Sequence, residues 1–386
     1  MIINSNEMTI ELPLDKRAKI KDMIQSLLSR DRIKIQELME SIGVLVAACP
    51  AVAYGWLYYK NLEKLKRDSL HENQNNPNKK ITLTEPAIED LKWWDAEIST
   101  VKNKIRTSIF DLEIFSDAST TGWGATCGNR NAKGFWSQED KKRHINYLEI
   151  KAAFLGLKSF ASSICHKQLL LRIDNITALA YLNKMGGIKH KDLNSLTREI
   201  WEWCKARDIW MFAEYVVSKE NLADEGSRIS NLDTEWELSQ IAFKDIVKKF
   251  GKPTIDLFAS RINNKCSKYC SWERDPEAHV INSFTVSWKY EFWYAFPPFS
   301  LITKVLKKVR DEGSTGIIVV PLWTAQPWFP EFQSLLVSEI IQWKPSNKLL
   351  LSPCREITHP LASSLILVSG IVSARPSRKR GWEMTL

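Results

Sequence analysis

Long apolar runs are missing from this 386-residue chain. Its longest apolar stretches, Gly43–Cys49 and Leu361–Ala374, are too short or too interrupted by serine to cross a bilayer, and the polar N-terminus carries no secretory signal. The seven cysteines are odd in number and lack the spacing of a disulfide framework, which favours a reducing compartment. We therefore expect an intracellular protein, cytoplasmic or nuclear or both.

A glycine-rich cofactor loop is also missing from the C-terminal region that begins near residue 238. What the chain does have is basic charge: 54 lysines and arginines against 45 acidic residues give a net charge of +9 and favour a polyanionic partner. Its 44% hydrophobic content is ample for two or three packed domains.

Asp117 and Asp174 each come at the end of a predicted strand. Asp117 closes the apolar alternation of residues 112–116, and the sequence TTGWGA then turns the chain back. Asp174 closes a buried strand over residues 169–173. A strand end is a rigid platform, so each carboxylate is expected to be held in a fixed position.

Glu149 and Asp224 are predicted to lie on helices. Glu149 comes one turn into a helix that begins near Asn146, and the two have capping-box spacing, so a cap role and a metal-binding role compete for Glu149. Small residues follow Glu149 at i+4 and i+7 and would let the helix lie close to the sheet. Asp224 opens a helix after the predicted strand Ile209–Val217.

The order of these settings predicts a shared site. Each acid taken alone would be an exposed charge, a helix cap or a turn residue, but four in this order on these elements form a joint pattern. Hard divalent ions such as Mg²⁺ take oxygen ligands, and two such ions about 3.5–4 Å apart can activate a water and neutralise a leaving oxygen. We therefore expect a two-metal phosphodiesterase.

The motifs that surround these acids are SDAS, GWGA, HINYLE, DN with NKMGG, IWEWC and KENLADEGSR. Through these motifs, the segment from about residue 110 to residue 231 resembles the ribonuclease H domain of DIRS-like retroelement polyproteins, which are relatives of the gypsy-type elements. The resemblance implies a mixed five-stranded sheet with helices on both faces. It also implies two Mg²⁺ ions, which Mn²⁺ can replace, held by Asp117, Glu149, Asp174 and Asp224, and endonucleolytic hydrolysis of the RNA strand of RNA/DNA hybrids.

The substrate contacts expected of such an enzyme are to ribose 2′-hydroxyls in the minor groove and to phosphates. Asn175, Asn146 and Thr120 are the candidates for them. Two departures from the family concern the loop YVVSKEN, which has Val217 where these elements usually have proline. The loop also lacks the histidine that many cellular ribonucleases H use to help product release.

Residues 1–70 are predicted to be helical over Asp15–Leu28 and Ile33–Ile42. They resemble the thumb of DIRS-like reverse transcriptases; without the family they are a helical bundle with a basic surface. A linker and a connection helix, with Thr84 as cap and Pro86 in its first turn, fill residues 71–108. No Tyr-x-Asp-Asp turn is present, so the resemblance implies that an upstream polymerase palm and a downstream recombinase belong to the element but not to this chain.

Residues 238–386 contain a strand, a Pro-Pro turn, a helix and a strand, which indicates an α/β domain. The region resembles the Dam-like adenine methyltransferase of DIRS-like elements, which implies a Rossmann-like fold. Phe296 stands where such enzymes place a polar residue before Pro-Pro, and phenylalanine cannot accept a hydrogen bond from adenine. We expect a degenerate domain, unless Asp256 or Asp275 reaches the pocket from another loop.

Two functions of different class follow. The first is an active hybrid nuclease, built of a thumb-like part (1–70), a connection (71–108), a ribonuclease H-like domain (109–231) and a degenerate methyltransferase-like domain (238–386). The second is a catalytically silent, nucleic-acid-binding remnant of a retrotransposon polyprotein. All four acids are intact, which favours the first.

Overall fold

The computed structural model describes residues 1–228, 236–354 and 357–374. The backbone packs as two compact units, one of residues 1–115, 149–154 and 163–221, the other of residues 116–148, 155–162 and 222–386. The boundaries of the four predicted domains remain predictions. The boundary near residue 231 and the basic run Arg375–Arg380 lie outside the described residues.

The first 108 residues are mainly helical. Their elements are β1 (Ile2–Asn4), β2 (Thr9–Glu11), α1 (Leu14–Leu28), β3 (Ile33–Lys34), α2 (Ile35–Ala48), α3 (Lys60–Glu72), β4 (Lys80–Ile81), α4 (Glu85–Glu97) and β5 (Asn103–Lys104). Short strands fasten the loops, since β2 pairs with both β1 and β5, and β3 pairs with β4. Apolar side chains of the helices, including Ile24, Leu45 and Trp94, are fully buried between them.

Two helix starts in this region differ from the sequence predictions. Ile33 was expected in the first turn of a helix, but Ile33 and Lys34 pair with β4, so α2 begins only at Ile35. Thr84 does occupy the N-cap position of α4, with Pro86 in the first turn, but its side chain makes no capping hydrogen bond. The resemblance of these helices to the thumb of a reverse transcriptase stays a prediction.

The central part of the chain contributes a second set of elements. They are β6 (Leu112–Ala118), β7 (Gly122–Cys127), β8 (Arg130–Phe135), α5 (Ile145–Ala161), β9 (Gln168–Ile173), α6 (Ile176–Asn183), α7 (Lys191–Lys205), β10 (Trp210–Tyr215) and α8 (Asp224–Ser227). The N-cap of α7 is His190, and Asp192 lies in the first turn.

The five strands of this central sheet have the order β10-β9-β6-β7-β8. Strand β9 is parallel to both β6 and β10, whereas β7 and β8 are antiparallel. In the pairing of β6 with β9, Ile114 lies opposite Leu171, and both side chains are fully buried. The predicted mixed five-stranded sheet with flanking helices is therefore confirmed.

The C-terminal part has a third set of elements. They are β11 (Glu237–Leu238), α9 (Gln240–Phe250), β12 (Ile255–Asp256), β13 (Cys270–Ser271), β14 (Val280–Ile281), β15 (Phe292–Ala295), α10 (Ile302–Glu312), β16 (Thr315–Pro321), α11 (Phe329–Leu335), β17 (Ile341–Trp343), β18 (Leu350–Leu351) and β19 (Leu367–Ser373).

The main C-terminal sheet is also mixed and five-stranded, with the order β12-β15-β16-β19-β17. Strands β12, β15 and β16 are parallel, and β19 is antiparallel to its two neighbours. Neighbouring residues of one strand enter different apolar clusters: Trp293 packs with the side chains of α10, and Tyr294 packs with Phe243 of α9. Helices therefore cover both faces of this sheet. This explains why the sequences of its strands are continuous apolar runs rather than alternating ones. The predicted Rossmann-like identity of this α/β region stays a prediction.

Among the described residues, no helix has the length and apolar character that a membrane span requires.

Candidate metal centre

Three carboxylates from three elements meet at one end of the central sheet. One oxygen each of Asp117, Glu149 and Asp174 lies within 4.8 Å of the other two. Asp117 is in β6, Asp174 follows β9 directly, and Glu149 is in α5. Because β6 and β9 are parallel, their carboxyl ends lie at the same end of the sheet, where sites in such folds are built. The structure thus brings together three of the four acids that were expected to share a site, and their role as metal ligands stays a prediction.

The acids of this cluster are mostly withdrawn from water. Asp117 is 6% exposed and Glu149 5% exposed, while Asp174 is half-buried. Carboxylates this close repel one another, and burial makes the repulsion more costly. A divalent cation would relieve both penalties, and an all-oxygen ligand set suits hard ions such as Mg²⁺ or Mn²⁺. The three side chains therefore fit a metal centre.

The turn that follows Asp117 is fastened by hydrogen bonds. Ser119 Oγ donates to the carbonyl oxygen of Ser227 at 2.7 Å and accepts from the backbone N–H of Gly122 at 3.1 Å. The carbonyl oxygen of Ser119 accepts from the indole N–H of the fully buried Trp136 at 2.8 Å. These bonds join the turn to α8 and to the residue that directly follows β8, and they hold the end of β6 in place.

Glu149 is not part of a helix cap. Helix α5 begins at Ile145, and its N-cap is His144, whose Nδ1 accepts from the backbone N–H of Asn146 at 3.2 Å. The prediction that the helix begins near Asn146 is correct within a residue, but the capping box of Asn146 with Glu149 is wrong, because His144 fills the cap. The competition between a cap role and a metal-binding role for Glu149 is thereby removed.

Ser218 is a site residue that the sequence did not single out. Its Oγ donates to Asp174 Oδ2 at 2.7 Å, from the loop that follows β10. The hydrogen bond orients the least buried acid of the cluster. The only sequence feature that pointed to this role is the position of Ser218 in the loop YVVSKEN. Nothing in the local sequence distinguishes it from an ordinary exposed loop serine.

Asp224 is the first residue of α8, as predicted, but it lies outside the group of three acids that share the 4.8 Å limit. Its Oδ1 instead accepts from Arg228 Nη2 at 2.7 Å. Helix α8 packs on β7 through Gly124, where an added Cβ would lie 2.5 Å from the carbonyl oxygen of Ala223 and 2.7 Å from the backbone nitrogen of Ser227. The structure thus gathers three of the four predicted ligands and holds the fourth in an ion pair.

The three predicted substrate contacts have different settings. Asn175 is the N-cap of α6, and its Oδ1 accepts from the backbone N–H of Ala178 at 2.9 Å. Asn146 lies in the first turn of α5, and Thr120 is exposed in the turn between β6 and β7. Each is near one of the acids in the chain, and their contact with a substrate stays a prediction.

The buried acid of the C-terminal sheet serves its own loop. Asp256, 2% exposed at the end of β12, accepts from the backbone N–H groups of Phe258 at 3.2 Å and Lys265 at 3.0 Å. Loss of hydration raises the pKa of Asp256 to about 6, and the two hydrogen bonds counter only part of that rise. At the Pro-Pro turn, Phe296 packs edge-on against Phe299, with ring centroids 6.3 Å apart.

Asp275, the other acid considered for that region, is likewise held by its loop. Its Oδ2 accepts from the backbone N–H of Arg261 at 2.7 Å, and its Oδ1 accepts from that of Glu277 at 3.0 Å. Neither acid belongs to a group of metal-ligating side chains among the described residues.

No protein-family model matches the chain, and no curated protein matches it. Among solved structures, the N-terminal RNase H domain of Rv2228c from Mycobacterium tuberculosis, fused to maltose-binding protein, is 15% identical; the match covers 31% of this chain and 94% of that chain, with a TM-score of 0.26. RNase H1 of the archaeon Halobacterium salinarum is 17% identical over 30% of this chain and 91% of its own, with a TM-score of 0.25.

A foamy viral protease-reverse transcriptase, solved in complex with an RNA/DNA hybrid, is 16% identical over 55% of this chain and 28% of its own, with a TM-score of 0.22. The match therefore spans less than a third of the viral protein. The fold class rests on this chain's own strand order, and the site rests on its acidic cluster.

Proposed function

We propose that the region of residues 109–231 is a ribonuclease H, which cuts the RNA strand of RNA/DNA hybrids internally with the help of two divalent ions. One observation carries the proposal: carboxylate oxygens of Asp117, Glu149 and Asp174 lie within 4.8 Å of one another at the carboxyl ends of parallel strands. A cluster of three acids, two of them almost fully buried, has no evident purpose in folding, since it costs free energy without a cation.

The roles of the residues follow from their positions. Asp117, Glu149 and Asp174 would hold the ions, and Ser218 orients the Asp174 carboxylate through its hydrogen bond. Bound divalent ions would supply positive charge to the phosphodiester and lower the pKa of an attacking water. Asp224 would bind a metal ion only if its carboxylate leaves Arg228. We therefore expect Asp224 to contribute less to metal affinity than the other three acids.

The substrate class rests on two considerations. A net charge of +9 favours a polyanion, and hard oxygen ligands favour an ion that also binds phosphate oxygens. RNA strands are distinguished from DNA by their 2′-hydroxyls in a wide minor groove, and we propose Asn175, Asn146 and Thr120 as contacts to that groove. We further propose that the chain is part of a DIRS-like retroelement reverse transcriptase and acts inside the cell.

The chain is expected to lack two neighbouring activities. Without a Tyr-x-Asp-Asp turn it should extend no primer, and with Phe296 before Pro-Pro it should transfer no methyl group to adenine. Primer extension needs the carboxylates of that turn to hold metal, and methyl transfer needs a polar group that accepts a hydrogen bond from the adenine amino group.

A cleavage assay tests the proposal. The purified chain with Mg²⁺ should cut the RNA strand of a labelled hybrid, and should leave single-stranded RNA and duplex DNA intact. Asp117→Asn keeps the size of the side chain but removes the charge that holds a metal, so it should abolish cutting while leaving the melting temperature within a few degrees.

Asp15→Asn in α1 is the matched control, because the same change at a distant exposed position should leave the rate unchanged. Equal cutting of duplex DNA would overturn the substrate assignment. Cutting that survives Asp117→Asn would show that the cluster is not the catalytic site.

A further inference from the structure

A polar cleft lies between the end of α5 and the loop around β13 and β14, within the second of the two compact units. Its volume is about 230 Å³. None of the clustered acids of the metal centre lines it. The polar side chains that line it are those of Lys158, Ser159, Ser162, Arg274, Asp275 and His279.

Arg274 is held in this cleft with most of its donors unused. Its Nη1 donates to the carbonyl oxygen of Ser159 at 3.4 Å, and its guanidinium lies 5.8 Å from the ring centre of Phe160. Within the described parts of the chain it forms no ion pair and no other hydrogen bond. A guanidinium has five N–H donors in a planar fork that suits phosphate oxygens, so a fixed arginine of this kind is a ready anion ligand.

Ser159 supplies an independent sign of a missing ligand. The residue is only 8% exposed, and its hydroxyl has no hydrogen-bond partner within the described residues. A buried hydroxyl without a partner costs free energy, and a ligand oxygen in the cleft would recover it. The single carboxylate along the cleft, that of Asp275, is already occupied by the backbone N–H groups of Arg261 and Glu277.

Trp272 adds an exposed aromatic surface two residues before Arg274. It is 64% exposed, whereas the other tryptophans within the described ranges are buried or half-buried. Trp272 directly follows β13, and β13 pairs with β14, whose Val280 and Ile281 line the cleft. Aromatic faces that stack on bases, next to cations that bind the backbone, are the means by which proteins hold single strands.

We propose that Trp272, Arg274, Lys158 and His279 form a binding site for single-stranded nucleic acid, separate from the metal centre. A base stacks on the indole of Trp272, and the adjoining phosphate accepts hydrogen bonds from Arg274 and Lys158, with the Ser159 hydroxyl as a further donor. A single strand fits better than a duplex, because the faces of duplex bases are already stacked on one another. Such a strand also remains when the RNA of a hybrid is cut, but the site does not depend on cleavage.

Fluorescence anisotropy of a labelled oligothymidylate with the full chain, in the absence of divalent ions, tests the site. Trp272→Ala should weaken binding about tenfold by loss of one stacked base, without changing the dependence on salt. Arg274→Ala should weaken binding and flatten the slope of log affinity against log salt by about 0.7, the value for one phosphate contact on a single strand.

Matched controls are Tyr290→Ala, which removes an aromatic ring that is 86% exposed, and Lys307→Ala, which removes an exposed cation on α10. Neither should change affinity. Ser159→Ala tests the cleft itself, since it should weaken binding without lowering the melting temperature. Trp272 is 64% exposed, and we expect its replacement by alanine to leave the fold intact, which the melting temperature of the variant checks.

Unchanged affinity in both Trp272→Ala and Arg274→Ala would overturn the proposal. A second outcome would also overturn it: inorganic phosphate raises the melting temperature in an Arg274-dependent way, while oligonucleotide affinity does not respond to either variant. That result would assign the cleft to a free phosphate group. Because no metal is present, the measurement is independent of whether the chain cuts hybrids.

Discussion

The two mixed five-stranded sheets each place a buried aspartate at the end of a parallel strand, yet they use it differently. Asp117 of β6 meets Glu149 and Asp174 within 4.8 Å. Asp256 of β12 belongs to no such group of acids among the described residues, and it accepts hydrogen bonds from two backbone N–H groups of its own loop. The position at a strand end is therefore not what makes a carboxylate a site residue. Convergence of several acids does, because only a cation offsets their repulsion.

The largest expected effect separates the two aspartate roles by the same substitution. Asp174→Asn should lower hybrid cleavage more than about 100-fold. Loss of a residue that only supports a metal ligand typically costs about 10–100-fold, and loss of the ligand itself should cost more. Asp256→Asn should leave cleavage within about threefold, an effect of under 1 kcal/mol. Initial rates on one labelled hybrid measure both. Equal losses in the two variants would erase the distinction between the sheets.

The pH dependence of stability should reveal the burial of Asp256. Its folded-state pKa, about 6, lies above the ordinary value of 3.8, so the folded chain holds this proton more tightly than the unfolded chain does. The stability that Asp256 contributes is full below pH 4 and is lost as the pH rises through 6, roughly 3 kcal/mol in total.

Asp256→Asn should remove that slope, so the variant gains stability relative to the parent between pH 4 and pH 7. Urea unfolding of both chains at the two pH values measures the change. A constant difference between parent and variant would mean that the Asp256 carboxyl is not desolvated in the folded chain.

Two strand glycines give an intermediate effect. A Cβ at Gly124 would meet the backbone of α8, and a Cβ at Gly316 of β16 would meet the indole of Trp293. Either change to alanine should cost about 1–3 kcal/mol of unfolding free energy, as overpacking does. Only Gly124→Ala should also lower cleavage in the folded chain, because it displaces the helix that begins with Asp224. Denaturant melts and cleavage rates together distinguish them.

Among the four predicted metal ligands, the smallest loss of cleavage is expected from Asp224. Asp224→Asn should lower cleavage only about tenfold, or 1.4 kcal/mol, because its carboxylate is paired with Arg228 rather than grouped with the other three acids. Titration of the rate with Mg²⁺ in both chains measures whether the loss lies in metal affinity. A loss as large as that of Asp174→Asn would place Asp224 among the full ligands.

Local patterns predicted much of the central region. The apolar alternation before Asp117 and the apolar run before Asp174 gave the strands β6 and β9, because residue spacing in a strand is a local property. The cap of α5 was not predictable in the same way. Both His144 and Asn146 precede the apolar face, and only the backbone path out of β8 decides which of them fills the N-cap.

The same limit applies to short strands and loops. Ile33 has helical spacing with the residues after it, yet it pairs with Ile81, nearly fifty residues later in the chain. Ser218 orients Asp174 across a similar gap in sequence. Contacts of this kind depend on strand pairing and loop closure, which no local window contains.

The sequence by itself determined which acids the chain carries, in what order, and on which strands and helices, because periodicity and turn residues are local. It also determined the basic charge and the apolar residue at the Pro-Pro turn. Tertiary structure decided which acids meet: Asp117, Glu149 and Asp174 converge because β6 and β9 are parallel neighbours. It also decided that Asp256 closes a loop and that Asp224 is held by Arg228, since a carboxylate takes whichever cation or N–H group the folded backbone brings within reach.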